Sequence, residues 1–279
     1  VQLYEVAGDV DYSVGNIDFE GCIRIRGNVL PGFKVSATDD IEILGSVERA
    51  TIEAGGDIRI HQGFYGDAYS HIKSCTGIHV RSLENARAMA LQDLHVDKYV
   101  LNSEILVGGD MSVKDASRGR ITGGRVVSGG CVSTAFLGSP ACARTVIDLG
   151  KDIEIGSDKN NYFNMMRFYN NKLDKLNAAV AWLKNRHSEN PLSKKQLGQL
   201  HALEDKARSF REKIRMLIRD NSEFRTRAKE EHNGEVRIAR TGYSGVQVMS
   251  CNGLLEIKDD TEGVVLRDRQ NAFISESLA

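Results

Sequence analysis

Gly55-Gly56-Asp57-Ile58-Arg59-Ile60 is a small-residue turn followed by a β-branched alternation, and the same phrase returns along most of the chain. Its first apolar residue falls at Ile23, Ile41, Ile58, Ile78, Leu94, Met111, Val132 and Ile153, with gaps of 18, 17, 20, 16, 17, 21 and 21 residues. A second short alternation lies about six residues ahead of most copies, at Ile17, Val35, Ile52, Ile72, Ile105 and Val126. Two strands per period with a turn between them predict one coil of a β-solenoid.

The physical case is one of shared burial. Four or five inward side chains in a single coil cannot close a core, whereas stacked coils pack their Ile and Val columns and pair every backbone group with the coil above or below. Glycines fall where the chain must turn, which accounts for 27 Gly against only 3 Pro. A β-sandwich or barrel also shows short strands at regular spacing, but does not require the same phrase to return in register.

Composition narrows the setting. With 41% hydrophobic residues and no apolar run approaching a membrane span, neither a transmembrane helix nor a signal peptide is expected, and Val1 reads as a cut end. Cys22, Cys75, Cys131, Cys142 and Cys251 are odd in number, widely spaced and free of metal-finger patterns, as expected of cytoplasmic thiols. The net charge of −1 is unevenly spread: residues 159–232 hold 17 Lys+Arg against 9 Asp+Glu, so that stretch is +8 and the remainder −9. Such asymmetry marks an interaction surface or a solvated helix face.

The expected organisation has three parts. Residues 1–157 form the solenoid, 158–232 an inserted helical hairpin, and 233–279 returning strands that complete or cap the solenoid. In the insert, Met166, Tyr169, Leu173, Leu176, Val180 and Leu183 follow a 3, 4, 3, 4, 3 spacing, a heptad seam on a helix. Ser193-Lys194-Lys195-Gln196 reads as a capping box opening a second helix with its seam at Leu200, Leu203, Ala207, Phe210, Ile214 and Leu217. Together they predict an antiparallel coiled-coil hairpin.

The order of parts resembles the flagellar assembly protein A (FapA) family over essentially the whole chain. The resemblance is carried by Gly55-Gly56-Asp57-Ile58, the Gly63 to Gly66 turn, Gly108-Gly109-Asp110, Gly123-Gly124 with Gly129-Gly130, Leu137-Gly138, the helical insertion and Tyr243-Ser244-Gly245-Val246. It implies a mainly β fold, a single-stranded right-handed parallel β-helix, in the bacterial cytoplasm and at the cell pole, with a role in polar flagellar assembly. It also implies docking of the glucose-specific enzyme IIA component of the phosphotransferase system. Members carry a region ahead of the solenoid, so this chain reads as a carboxy-terminal fragment.

No catalytic pattern accompanies the repeat. There is no HExxH, GxSxG, P-loop or dinucleotide fingerprint, and the seven histidines form no compact ligand cluster. Neither enzymatic activity, metal nor cofactor is expected. The candidate protein-binding residues are Phe64, Tyr65, Tyr69, Phe136 and Leu137 as apolar anchors, and Arg208, Arg211, Arg215 and Arg219 as a charged stripe on the second helix. The aromatics after Gly63 contact a partner or stack back over the solenoid wall; both readings stay open. Phosphorylation of a docked enzyme IIA is expected to weaken an apolar contact. Self-association through the hairpin or the solenoid ends is the alternative. A hexapeptide acyltransferase would need a strict 18-residue period, and a nucleic-acid binder would need a motif that the basic arm lacks.

Overall fold

The computed structural model describes residues 2–149, 173, 176–186, 196–208, 211–212, 234–250, 253–269 and 272–277. It comprises two compact units, Val1–Ile153 with Ala228–Ala279, and Glu154–Arg227.

The first unit is a parallel β-solenoid. Its first face stacks Ile23, Ile41, Ile58, Ile78, Leu94, Met111 and Val132, each paired in parallel with the next. The second face stacks Ile17, Val35, Ile52, Ile72, Ala88, Ile105, Val126 and Ile147. Both columns point inward and are buried. Burying one such side chain is worth roughly 1.5–3 kcal/mol, and only stacking gives each of them a dry neighbour on both sides.

A third face corrects the expectation of two strands per period. Val10, Val29 and Val47 join as isolated bridges, and the column continues through Phe64, Leu83, Val100, Ile121 and Leu137. In the early coils this face is one or two residues long, too short to show an alternation. Later it merges with its neighbours into long strands, Ile58–Tyr65, Ile78–Glu84 and Leu94–Val107.

The recurrent Gly-Asp turn has a specific job at the corner between the second and first faces. The Asp40 carboxylate accepts the Asp57 amide at 2.8 Å, Asp57 accepts the Gly77 amide at 3.0 Å, Asp93 accepts the Asp110 amide at 2.8 Å, and Asp110 accepts the Cys131 amide at 2.7 Å. Each aspartate thus satisfies a turn amide of the next coil. Glycine beside it makes room: a Cβ at Gly56, Gly109 or Gly130 would lie 2.1, 2.2 or 2.2 Å from the aspartate of the coil before.

The eighth rung is not where the repeat places it. Ile153 lies outside the described residues, and the parallel partner of Val132 is Val236, beyond the insertion. Glu235–Gly242 and Gln247–Ser250 extend the first and second faces in parallel. Thr261–Arg269 and Gly253–Glu256 then pair with them antiparallel, and Ala272–Ser277 adds a further antiparallel strand. This reversal ends the stacking.

In the second unit, residues 176–186 and 196–208 are helical. Lys184 pairs with Glu204 at 2.6 Å, Arg211 donates to the Asn177 side-chain oxygen at 2.8 Å, and Leu183 and Leu200 are buried with Val180, Leu197 and Leu203. As one stretch advances along the chain, its contacts on the other recede. The capping box Ser193-Lys194-Lys195 lies outside the described residues. No helix among the described residues is long and apolar enough to cross a membrane.

Candidate protein-docking face

Two of the sequence candidates, Tyr65 and Phe136, lie on the outer wall of the third face, where two side-chain columns project outward. One runs Tyr99, Arg120, Phe136 and Thr241, in register with the buried Ser82; the other runs Tyr65, Glu84, Leu101 and Thr122. Adjacent coils are about 4.8 Å apart, so Tyr65 and Phe136, four coils apart, are separated by roughly 19 Å along the wall.

Alternation decides which of the sequence candidates reach this wall. Phe64 and Tyr65 are neighbours in one strand, as are Phe136 and Leu137, so one of each pair must point inward. Phe64 and Leu137 are the inward members, fully buried in the central column, and a buried side chain cannot anchor a partner; these two are withdrawn from the candidate set. Tyr65 is 37% exposed and Phe136 is half-buried. Glycine at 63 lets the Tyr65 ring lie along the wall, since a Cβ there would fall 2.6 Å from the ring.

Tyr69 is presented separately. The Asp67 carboxylate accepts the amides of Tyr69 and Ser70 at 2.9 and 2.8 Å, bonds that hold its pKa below the usual carboxylate range. Arg87 donates to the Ala68 carbonyl at 2.8 Å. The loop is therefore tied down at its base while the Tyr69 ring is 90% exposed.

The middle of the wall carries a linked set that the sequence reading missed. The Tyr99 hydroxyl donates to Glu84 at 2.6 Å, and that bond is the main cause of a raised Tyr99 pKa. The Arg120 guanidinium lies 5.4 Å from the Tyr99 ring centroid, in cation–π range. Beyond it opens a cleft of about 490 Å³ lined by Leu101, Arg118, Arg120, Phe136, Pro140 and Tyr243, among others. A signal for this face was present in six copies: an apolar residue follows Ile23, Ile41, Ile58, Ile78, Leu94 and Val132 by five or six positions, at Val29, Val47, Phe64, Leu83, Val100 and Leu137.

The arginine stripe is only partly described. Arg208 is exposed, 3.7 Å from Asp205, and Arg211 bonds Asn177; Arg215 and Arg219 lie outside the described residues. Histidines of the solenoid are engaged coil to coil: His61 with Glu42 at 3.0 Å, His71 with Glu53 at 3.0 Å and His79 with Asp97 at 2.8 Å. Among the described residues, no group of three or more His, Cys, Asp or Glu is placed to hold a metal ion.

These features define a parallel β-solenoid with a helical insertion between two of its coils and a mixed aromatic and basic face. The family model described as the Flagellar Assembly Protein A beta solenoid domain matches residues 2–273. The chain belongs to this family. No curated protein and no solved structure gave a match.

Proposed function

We propose that the chain is a non-enzymatic scaffold in bacterial polar flagellar assembly that docks the glucose-specific enzyme IIA component of the phosphotransferase system. Family membership supports a role related to flagellar assembly. The observation that carries the docking part is the outer wall of the third face, where Tyr65, Tyr99 and Phe136 offer rigid rings without interrupting the core. In this reading the solenoid is right-handed, the insertion is an antiparallel coiled-coil arm, and the protein works at the cell pole.

The rings set the sign of phosphorylation. In this reading the partner's active histidine meets the Tyr65 end of the wall, about four coils from Phe136 and the arginines beside it, where a phosphohistidine must shed its hydration against an aromatic surface, so the phosphorylated form binds more weakly. The test is capture of purified enzyme IIA, in both forms, by the intact chain and by a version with residues 159–232 replaced by a short linker. Preferential capture of the unphosphorylated form supports the reading. Capture by both versions assigns docking to the solenoid; loss with the linker assigns it to the arm. Failure to capture either form overturns the docking partner.

One observation favours self-assembly as a second reading. On the strand Leu3–Val6, which pairs in parallel with Cys22–Ile25, the side chains of Leu3 and Tyr4 are 55% and 40% exposed. Large apolar side chains exposed together on one strand offer a surface for a second copy of the chain to cover. Concentration-dependent sedimentation of the intact chain would reveal it.

A further inference from the structure

We propose that the cleft between Tyr99 and Tyr243 binds an extended acidic segment of a partner protein and seats one apolar side chain of that segment on Phe136, Leu101 and Pro140. This deepens the scaffold reading and rests on it, by naming the chemistry that the docking face recognises.

Three observations converge on this occupant. The first is charge. Arg118 and Arg120 both line the cleft, both are exposed, and neither forms an ion pair among the described residues. Elsewhere on the solenoid, Arg24, Arg26, Arg87, Arg125, Arg237 and Arg267 are each matched to a carboxylate, while Arg81 and Arg240 bond neutral oxygens; what sets Arg118 and Arg120 apart is that both line one cleft. The nearest acid to Arg118, Asp115, already accepts the amides of Ser117 and Arg118 and the Ser117 hydroxyl at 2.8–2.9 Å. Glu84 accepts the Tyr99 hydroxyl farther along the wall. The two guanidiniums therefore present donors with carboxylate-matching geometry: Arg118 lies in the field of Asp115 and Arg120 over the Tyr99 ring, and neither is held by a carboxylate at ion-pair distance among the described residues.

The second observation is shape. The cleft is open to solvent along one side and would cover too little of a small molecule to hold it well, because small-molecule sites enclose most of the ligand surface. The wall continues from Tyr65 through Glu84, Leu101 and Thr122 to the cleft, spanning about five coil steps or roughly 24 Å to Tyr243, the reach of about seven extended residues. A chain segment uses that length and a compact anion does not.

The third is polarity within the cleft. Apolar Phe136, Leu101 and Pro140 lie beside the arginines, and the hydroxyls of Thr122 and Ser139 are already engaged with the Gly138 carbonyl and the Ala143 amide. A bare anion would leave the apolar part wet, and an uncharged apolar segment would leave both arginines unused. An acidic segment with one apolar residue satisfies both.

The probe is a short fluorescein-labelled peptide of alternating glutamate and glycine around a central phenylalanine, titrated with the full chain and read by anisotropy. The acidic peptide is expected to bind at least about tenfold more tightly than its lysine counterpart, and replacing its central phenylalanine by glycine to weaken it several-fold. The double variant Arg118→Glu/Arg120→Glu should abolish that preference, while Arg59→Glu on the first face leaves it intact. A circular-dichroism spectrum like that of the parent confirms folding of each variant. Equal affinity for acidic and basic peptides, no binding, or indifference to the double reversal overturns the proposal. Complete displacement by inorganic phosphate also overturns it, in favour of a small-anion site. Capture of enzyme IIA without peptide binding removes this inference alone, and peptide binding without capture removes only the named partner.

Discussion

The Gly-Asp corner and the outer wall of the third face belong to the same coils but follow different rules. At the corner the same residue types recur, because each aspartate must meet a turn amide of the next coil and each glycine must clear the aspartate before it. On the wall the residues change at every step, Gly63, Ser82, Tyr99, Arg120, Phe136 and Thr241, although the backbone register is kept. Where stacking sets the requirement the chain repeats itself; where stacking is indifferent to the side chain, recognition is free to choose it.

Adjacent residues give the sharpest way to break this contrast. Phe64→Ala empties a fully buried ring from the central column and is expected to cost about 3–5 kcal/mol, read from the midpoint of urea unfolding. Its neighbour Tyr65 is the opposite case, with its ring on the outer wall. Gly108→Ala should cost about 3 kcal/mol or more, because the new Cβ would fall 1.9 Å from the Leu91 carbonyl oxygen, a backbone atom that cannot swing away. A midpoint unchanged by Gly108→Ala would show that the coils are not stacked as tightly as described.

Next in size is Asp57→Ala, which strips the acceptor from the Gly77 amide and the Thr76 hydroxyl and is expected to cost about 1–2 kcal/mol. The acid limb tests an outward pair. Glu53 is held at about 2, first by its hydrogen bond with His71 and then by Lys34, against an ordinary value of 4.5. A depressed carboxylate stabilises the fold fully above its unfolded pKa, and that contribution disappears as pH falls from 4.5 to about 2. Glu53→Gln should remove this part of the acid slope, about 1 kcal/mol once solvent screening of a partly exposed pair is allowed for. An unchanged slope between those pH values would place the sensitivity in other carboxylates.

The smallest effect on stability should come from Tyr65→Ser, within about 0.5–1 kcal/mol, with the larger consequence falling on partner capture. Loss of capture with an unmoved unfolding midpoint would sharpen the division between corner and wall; a large fall in stability would erase it.

How far each region could be read beforehand follows the same division. The columns through Ile23, Ile41 and Ile58, and through Val35, Ile52 and Ile72, were legible because β-branched alternation is a local pattern. The third column was hidden: Val29 and Val47 are single inward residues, and Ile121 is displaced to ten positions after Met111 by the Asp115 to Gly119 turn. Missing that column made Phe64 and Leu137 look like exposed anchors, when they are its inward members. Tyr99 and Arg120 were illegible for a different reason. They become neighbours only through coil-to-coil register, across a turn whose length no local rule supplies. The substitution of Val236 for Ile153 on the last rung is likewise a long-range choice, with more than eighty residues between the paired strands.

That choice imposes a schedule on synthesis. On the side away from Met111–Val113 and Arg120–Ser128, the coil ending at Leu149 takes its parallel neighbours among the described residues from Glu235–Gly242 and Gln247–Ser250, so the ribosome must first translate residues 150–233. At ordinary elongation rates that interval is roughly 4–17 s, far longer than a helix or hairpin needs to form. For those seconds the outer edge of that coil lacks the strands that pair with it in the finished fold, and the length of the insertion determines how long it waits for its own chain to return.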